Sequence, residues 1–107
     1  MKRLLLVFVP LLAALTLAYG SELKLDGRVR EAMSNKGIPG LTVKLIPPTG
    51  SQKPERITFT DPAGEFHFLA LDPGKYLLEV YQGITLLHRE VMTLERDIRR
   101  DIDLRRR

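Results

Sequence analysis

Thr60-Asp61-Pro62-Ala63-Gly64-Glu65-Phe66-His67-Phe68 is a tight turn running straight into a strand. Asp stands first in the turn, Pro second and Gly fourth, the residue order of a type I turn. Phe66 and Phe68 then alternate with Glu65 and His67, the period of two that marks a half-buried strand. A second unit follows at once. Asp72-Pro73-Gly74-Lys75 suits a type II turn, and Tyr76, Leu78 and Val80 make the next inward set. Phe66, Phe68 and Tyr76 are therefore the large core candidates, and Asp61, Pro62, Gly64, Asp72, Pro73 and Gly74 the structural turn residues.

The same period extends outward from this centre. Leu23, Leu25 and Val29 alternate with Lys24, Asp26, Arg28 and Arg30, and Leu41, Val43 and Leu45 alternate with Thr42 and Lys44. Ile57 and Phe59 are expected to face inward, alternating with Thr58 and Thr60, and Ile84 and Leu86 form a sixth inward set. Gln82-Gly83 can close another hairpin. Ile98, Ile102 and Leu104 share a parity interrupted at Arg100, which favours a closing strand over a helix from Thr93 to Arg100. The prolines after residue 20 fall outside the apolar alternation, where a lost backbone donor does little harm. Seven short runs with one apolar face each predict an all-β fold of two sheets packed face to face.

The amino terminus is of another kind. Lys2 and Arg3 precede an apolar run from Leu4 to Ala18, and Ala18 and Gly20 stand at the −3 and −1 positions before Ser21. This is the layout of a secretory signal peptide over residues 1–20, leaving a domain over 21–107. A run of 15 residues would rise only ~22 Å as a helix, short of a ~30 Å hydrocarbon core. No stable membrane span is expected once the signal is removed. The whole chain is 107 residues with a net charge of +4 and 44% apolar residues. Without the first 20, 87 residues carry 15 Lys and Arg against 13 Asp and Glu, a net charge of +2. That balance argues against nucleic acid as a partner. With no cysteine, disulfides are excluded, and a domain of this size must fold on burial alone. Exported yet cysteine-free, it fits a bacterial periplasm or extracellular space.

Gly27-Arg28-Val29, Gly37-Ile38-Pro39-Gly40-Leu41-Thr42-Val43-Lys44-Leu45, the stretch from Thr60 to Phe68, and Leu71-Asp72-Pro73-Gly74-Lys75-Tyr76-Leu77-Leu78-Glu79-Val80 together resemble the carboxypeptidase regulatory-like domain. The resemblance runs from about Leu23 to Leu104. It implies a seven-stranded, transthyretin-like (prealbumin-like) sandwich, within a fold group that includes starch-binding-like domains and adhesin modules. It does not imply peptidase activity, since fold does not carry function and no catalytic domain is present.

Chemistry-bearing residues are few. A zinc site needs three or four convergent ligands, and His67 and His88 each sit alone on a strand. Ser21, Ser34 and Ser51 lie in a terminus or in loops with no oxyanion-hole motif. Asp61 and Asp72 could be read as calcium ligands, but Asp before Pro ordinarily caps a turn, and no dense acidic loop supplies six to eight oxygens. A lysine-to-Asp isopeptide bond would draw on Lys24 or Lys44 with Asp101 or Asp103, yet parity turns both lysines to water. Residues 95–107 hold six arginines and four acids, a solvated edge that discourages aggregation. No enzyme, metal or cofactor is expected. The reading is an exported, non-catalytic module in protein interaction or scaffolding at the bacterial envelope, its partner an envelope or extracellular protein. The alternative is a carbohydrate-binding module acting on a polysaccharide. For that role Tyr81 is the candidate aromatic platform, because Tyr19 leaves with the signal and Tyr76 reads as core.

Overall fold

A computed structural model describes residues 22–105; the expected export signal at 1–20 lies outside them. Within that span the chain is all-β, with strands β1 (Leu23–Glu31), β2 (Thr42–Ile46), β3 (Arg56–Phe59), β4 (Glu65–Leu71), β5 (Gly74–Gln82), β6 (Thr85–Leu94), β7 (Ile98–Arg99) and β8 (Ile102–Leu104). β1 sits between β4, antiparallel, and β7 and β8, both parallel to it. The second sheet runs β3-β2-β5-β6 and is antiparallel throughout. The closing run is one strand in two pieces. Ile98 pairs with Leu25 and Ile102 with Val29, while Arg100 and Asp101 break the ladder between them.

Between the sheets lies a single core. Leu25, Val29, Val43, Leu45, Leu78 and Val80 are all fully buried. Phe66 and Phe68 are 1% and 2% exposed and meet edge to face, with ring centroids 6.2 Å apart. Phe66 lies across Gly27, its partner on β1. A Cβ at Gly27 would stand 2.4 Å from the ring and 2.1 Å from the Arg100 carbonyl oxygen. The glycine is thus where one strand lets both an aromatic ring and a neighbouring backbone approach. Tyr76, 6% exposed, closes one end and donates its hydroxyl to the Asp72 carbonyl at 2.7 Å.

The Asp61 turn is held by its own side chain. Gly64 N donates to the Asp61 carbonyl at 2.8 Å, and Ala63 N and Glu65 N both donate to Asp61 Oδ1 at 2.9 Å. Gly64, at φ 83°, packs so close to β1 that a Cβ would stand 2.5 Å from the Val29 carbonyl oxygen. The turn does not close a hairpin, because β3 and β4 lie in different sheets.

Four expectations are corrected. Ile57 and Phe59 face outward, opposite Lys44 and Thr42, and are 50% and 63% exposed. The buried parity of this run belongs to Thr60, whose hydroxyl donates to the Ile38 carbonyl and accepts from Leu41 N. Satisfied in this way, a threonine can take a core position. Ile84 is 98% exposed, because Gly83 and Ile84 are the central residues of the β5–β6 hairpin. Gly83, at φ 61°, fits the first central place of a type II′ turn. Leu86 faces outward, 41% exposed, while its neighbour Leu87, the extra residue of a bulge opposite Val80 and Tyr81, packs on the core. Finally, Asp72 to Lys75 is no type II turn. Gly74 has φ 156° and already pairs with Leu94, so the chain crosses from one sheet to the other over Asp72 and Pro73.

Candidate functional site

The register of the four-stranded sheet lines up three rows on its solvent side. Phe59, Thr42, Tyr81 and Leu86 form one, Ile57, Lys44, Glu79 and Arg89 the next, and Ile46, Leu77 and Val91 the third. Two apolar rows therefore flank a charged one. Seven large apolar side chains among the described residues are exposed. Ile57, Phe59, Leu86 and Val91 lie on this face, and Ile84 lies on its hairpin edge. Scattered singly, such residues need no explanation, but gathered on one surface they mark an interaction site.

The middle row is built around Glu79. Its side chain is 5% exposed although it lies on the outward side, because its neighbours roof it. Tyr81 donates its hydroxyl to Oε1 at 2.8 Å, and Arg89 Nε donates to Oε2 at 2.9 Å. Burial pushes the Glu79 carboxyl up, but the hydrogen bonds from Tyr81 and Arg89 and the charges of Arg89 and Lys44 outweigh it, so the group is held below its ordinary value. The same hydrogen bond, with some burial and the carboxylate's charge, raises Tyr81. Lys44 Nζ stands 4.8 Å from the centroid of the Tyr81 ring, within cation–π range. Tyr81, the platform candidate, is thus a half-buried ring with its hydroxyl committed and a cation over it. A sugar stacking on the side that Lys44 covers would have to displace it.

The other chemistry-bearing residues are dispersed. His67 Nδ1 lies 2.8 Å from Asp26 on the outer face of the opposite sheet. His88 is not alone on its strand. It and Glu90 stand on the core side of β6, opposite Val80 and Leu78, and Glu90 binds His88 Nε2 at 2.7 Å and Arg100 Nε at 2.7 Å. Burial raises the Glu90 carboxyl, but Arg100 and His88 hold it low overall, and Glu90 in turn raises Arg100. Such inward polar groups blunt an edge strand. Asp103 is paired with Arg30 at 2.9 Å and Asp101 with Arg99 at 3.1 Å, so no lysine stands on either carboxylate. Asp72 binds Lys53. Among the described residues no group of three or more His, Asp or Glu is placed to hold a metal.

Period-two alternation alone could not find the apolar outer face, since it says that a strand has two sides but not which is inside. A different signal was present. Leu45-Ile46, Leu77-Leu78, Leu86-Leu87 and Val91-Met92 are doubled apolar pairs, and adjacent residues on a strand point to opposite sides. In each pair one member enters or borders the core and the other is left outside.

A family model, the carboxypeptidase regulatory-like domain, matches residues 24–105. No curated protein matches the chain. Among solved structures, BcpA, the major pilin subunit of Bacillus cereus, aligns with a TM-score of 0.64 at 10% identity over 79% of this chain and 30% of its own. A DUF3823 family protein from Parabacteroides merdae aligns with a TM-score of 0.62 at 18% identity over 79% of this chain and 46% of its own. A streptococcal ancillary pilin aligns with a TM-score of 0.60 at 17% identity over 81% and 30%. The chain therefore spans less than half the length of each of these proteins. At these identities the likeness is one of fold.

Proposed function

The chain belongs to the carboxypeptidase regulatory-like domain family over residues 24–105, and on that premise we propose that it is an exported, non-catalytic β-sandwich module that holds a protein partner at the bacterial cell envelope. The observation that carries the reading is the gathering of exposed Phe59, Ile57, Leu86 and Val91 on one sheet face, beside the Lys44–Glu79–Arg89 row. Glu79 is already saturated by Tyr81 and Arg89, while Lys44, Lys75 and Arg89 share this side of the sheet. The partner that fits is a protein surface with apolar side chains flanking an acidic one. Apolar contacts would supply affinity at the centre and the charges orientation. Self-association through this face would set like excess charges against each other. Two of the solved proteins of similar fold are pilins by name, which suits the envelope setting proposed.

Photo-crosslinking amino acids placed at Phe59 and Val91, and as controls at Arg28 and Asp103 on the opposite sheet, test the reading in the living envelope. One common adduct from 59 and 91 that is absent from 28 and 103 is expected. Equal labelling from both faces, or none from 59 and 91, would remove the proposed surface. Intact mass of the exported protein tests removal of residues 1–20, and a glycan array comparing wild type with Tyr81→Ala tests the polysaccharide alternative.

A further inference from the structure

A separate feature lies at the end of the sandwich where β3 and β4 diverge. Leu69 and Ala70 together oppose Lys24 on β1, a bulge that breaks the β4 ladder between Leu71 and Phe68. Ala70 sits at φ 57°, a left-handed conformation that costs a side-chain-bearing residue ~1–2 kcal/mol. The bulge edges an open groove of about 610 Å³. Leu69, Leu71, Pro47, Pro54 and the buried Tyr76 supply its apolar walls.

Its charges are unevenly satisfied. Lys53 is paired with Asp72. Arg56 gives one guanidinium nitrogen, Nη2, to the Leu69 carbonyl at 2.9 Å. Among the described residues neither the Arg56 guanidinium nor the Lys24 ammonium is in an ion pair, and it is the Lys24 backbone N–H that donates to Asp97 Oδ1 at 3.0 Å. Glu22 stands on the rim. Three cations against two carboxylates leave one net positive charge beside an apolar wall of small-ligand size.

From this juxtaposition we infer that the groove binds a small monoanion carried on an apolar body, its head between Arg56 and Lys24 and its body along Leu69, Pro54 and Tyr76. Arg56, already oriented by the Leu69 carbonyl, presents the rest of its planar fork to a carboxylate or sulfonate. An acyl chain and an aryl group meet the same requirement, so the two are separated by experiment. Occupancy of this site is independent of the sheet face proposed above, which lies on another surface.

The test is an amide NMR titration of the purified, isotope-labelled protein with sodium decanoate, with 8-anilinonaphthalene-1-sulfonate, and with decyltrimethylammonium as the cationic control, each below its micelle concentration. Saturable shifts at Lys24, Ala70 and Asp72 with at least one anion, and none there with the cation, are expected. Response to one anion alone identifies the body as acyl or aryl, and response to both supports the shared chemistry. Arg56→Gln should weaken binding about tenfold, Lys24→Gln should weaken it several-fold, and Glu22→Gln should strengthen it. Lys24 and Glu22 make no side-chain contact that the fold needs, so their variants keep the test alive should Arg56→Gln unfold. No saturable shift with either anion, equal response to the cation, insensitivity to all three substitutions, or shifts confined to Phe59 and Val91 would each overturn the inference.

Discussion

The two sheets share one core but turn opposite kinds of surface to solvent. On the outer side of the β1 sheet, charged residues meet across strands. Asp26 faces His67 and Arg99, Arg28 faces Glu65, and Arg30 faces Asp103. Most of these groups are a third or more exposed and well solvated. On the outer side of the β2–β5 sheet the corresponding positions are largely apolar, and the acid at its centre, Glu79, is roofed by its neighbours. The first face is charged and solvated, and the second is the one on which the proposed partner would seat. Ion pairs as exposed as those of the first face contribute little to stability, whereas a carboxylate covered like Glu79 leaves its partners stranded if it is removed.

The contrast depends on both sheets staying in register, and the most damaging change strikes there. Gly27→Ala would push a methyl into the Phe66 ring and the Arg100 carbonyl at once. A loss of about 3 kcal/mol or more in denaturant unfolding is expected, and a near-neutral result would mean that β1 can shift away. Next comes Glu79→Gln, expected to cost about 2 kcal/mol by leaving Arg89 and the Tyr81 hydroxyl poorly matched. Arg30→Gln, on the other face, should cost well under about 1 kcal/mol. Equal effects would erase the distinction between a roofed and an open ion pair.

Acid sharpens the same point. Glu79 and Glu90 are held below their ordinary values when folded. Their stabilisation is complete above the unfolded value, ~4.3, and is lost as the pH falls through the lowered folded value. Urea midpoints should therefore fall on acidification below that range, and Glu79→Gln should flatten the slope. Ala70→Gly, which relieves a left-handed backbone at a site on neither face, should raise stability by about 0.5–1 kcal/mol. Smallest of all, Phe59→Ser should leave the free energy of unfolding within about 0.5 kcal/mol of wild type while abolishing the cross-link from position 91 on that face. A large destabilisation there would mean that Phe59 is structural and that the apolar face is not free to bind.

Much of this was legible in the residues. The inward sets at Leu25 and Val29, at Val43 and Leu45, at Phe66 and Phe68, and at Leu78 and Val80 alternate cleanly and are buried. The reading failed where both faces of a strand tolerate apolar groups. Ile57 and Phe59 alternate as regularly as the core strands do, yet their parity is outward, because Thr60 takes the inner position and finds partners in Ile38 and Leu41. Leu86 lost its inward place to Leu87 through a bulge, and a bulge leaves no trace in periodicity. His88 read as isolated because Glu90 reaches it across a strand position, and Arg100 joins them only through the fold.

By itself, then, the sequence determined the fold class and the Asp61 turn, since period-two patterning and the Asp-Pro-Ala-Gly order act over a few residues. It determined as well that no disulfide holds the domain. Only the tertiary structure decided which side of β3 and β6 meets water, that the Asp61 and Asp72 links cross between sheets, and that Lys24 and Arg56 share a groove. Those outcomes depend on strand pairing between residues far apart in the chain, and local preference carries no information about which strand lies alongside which.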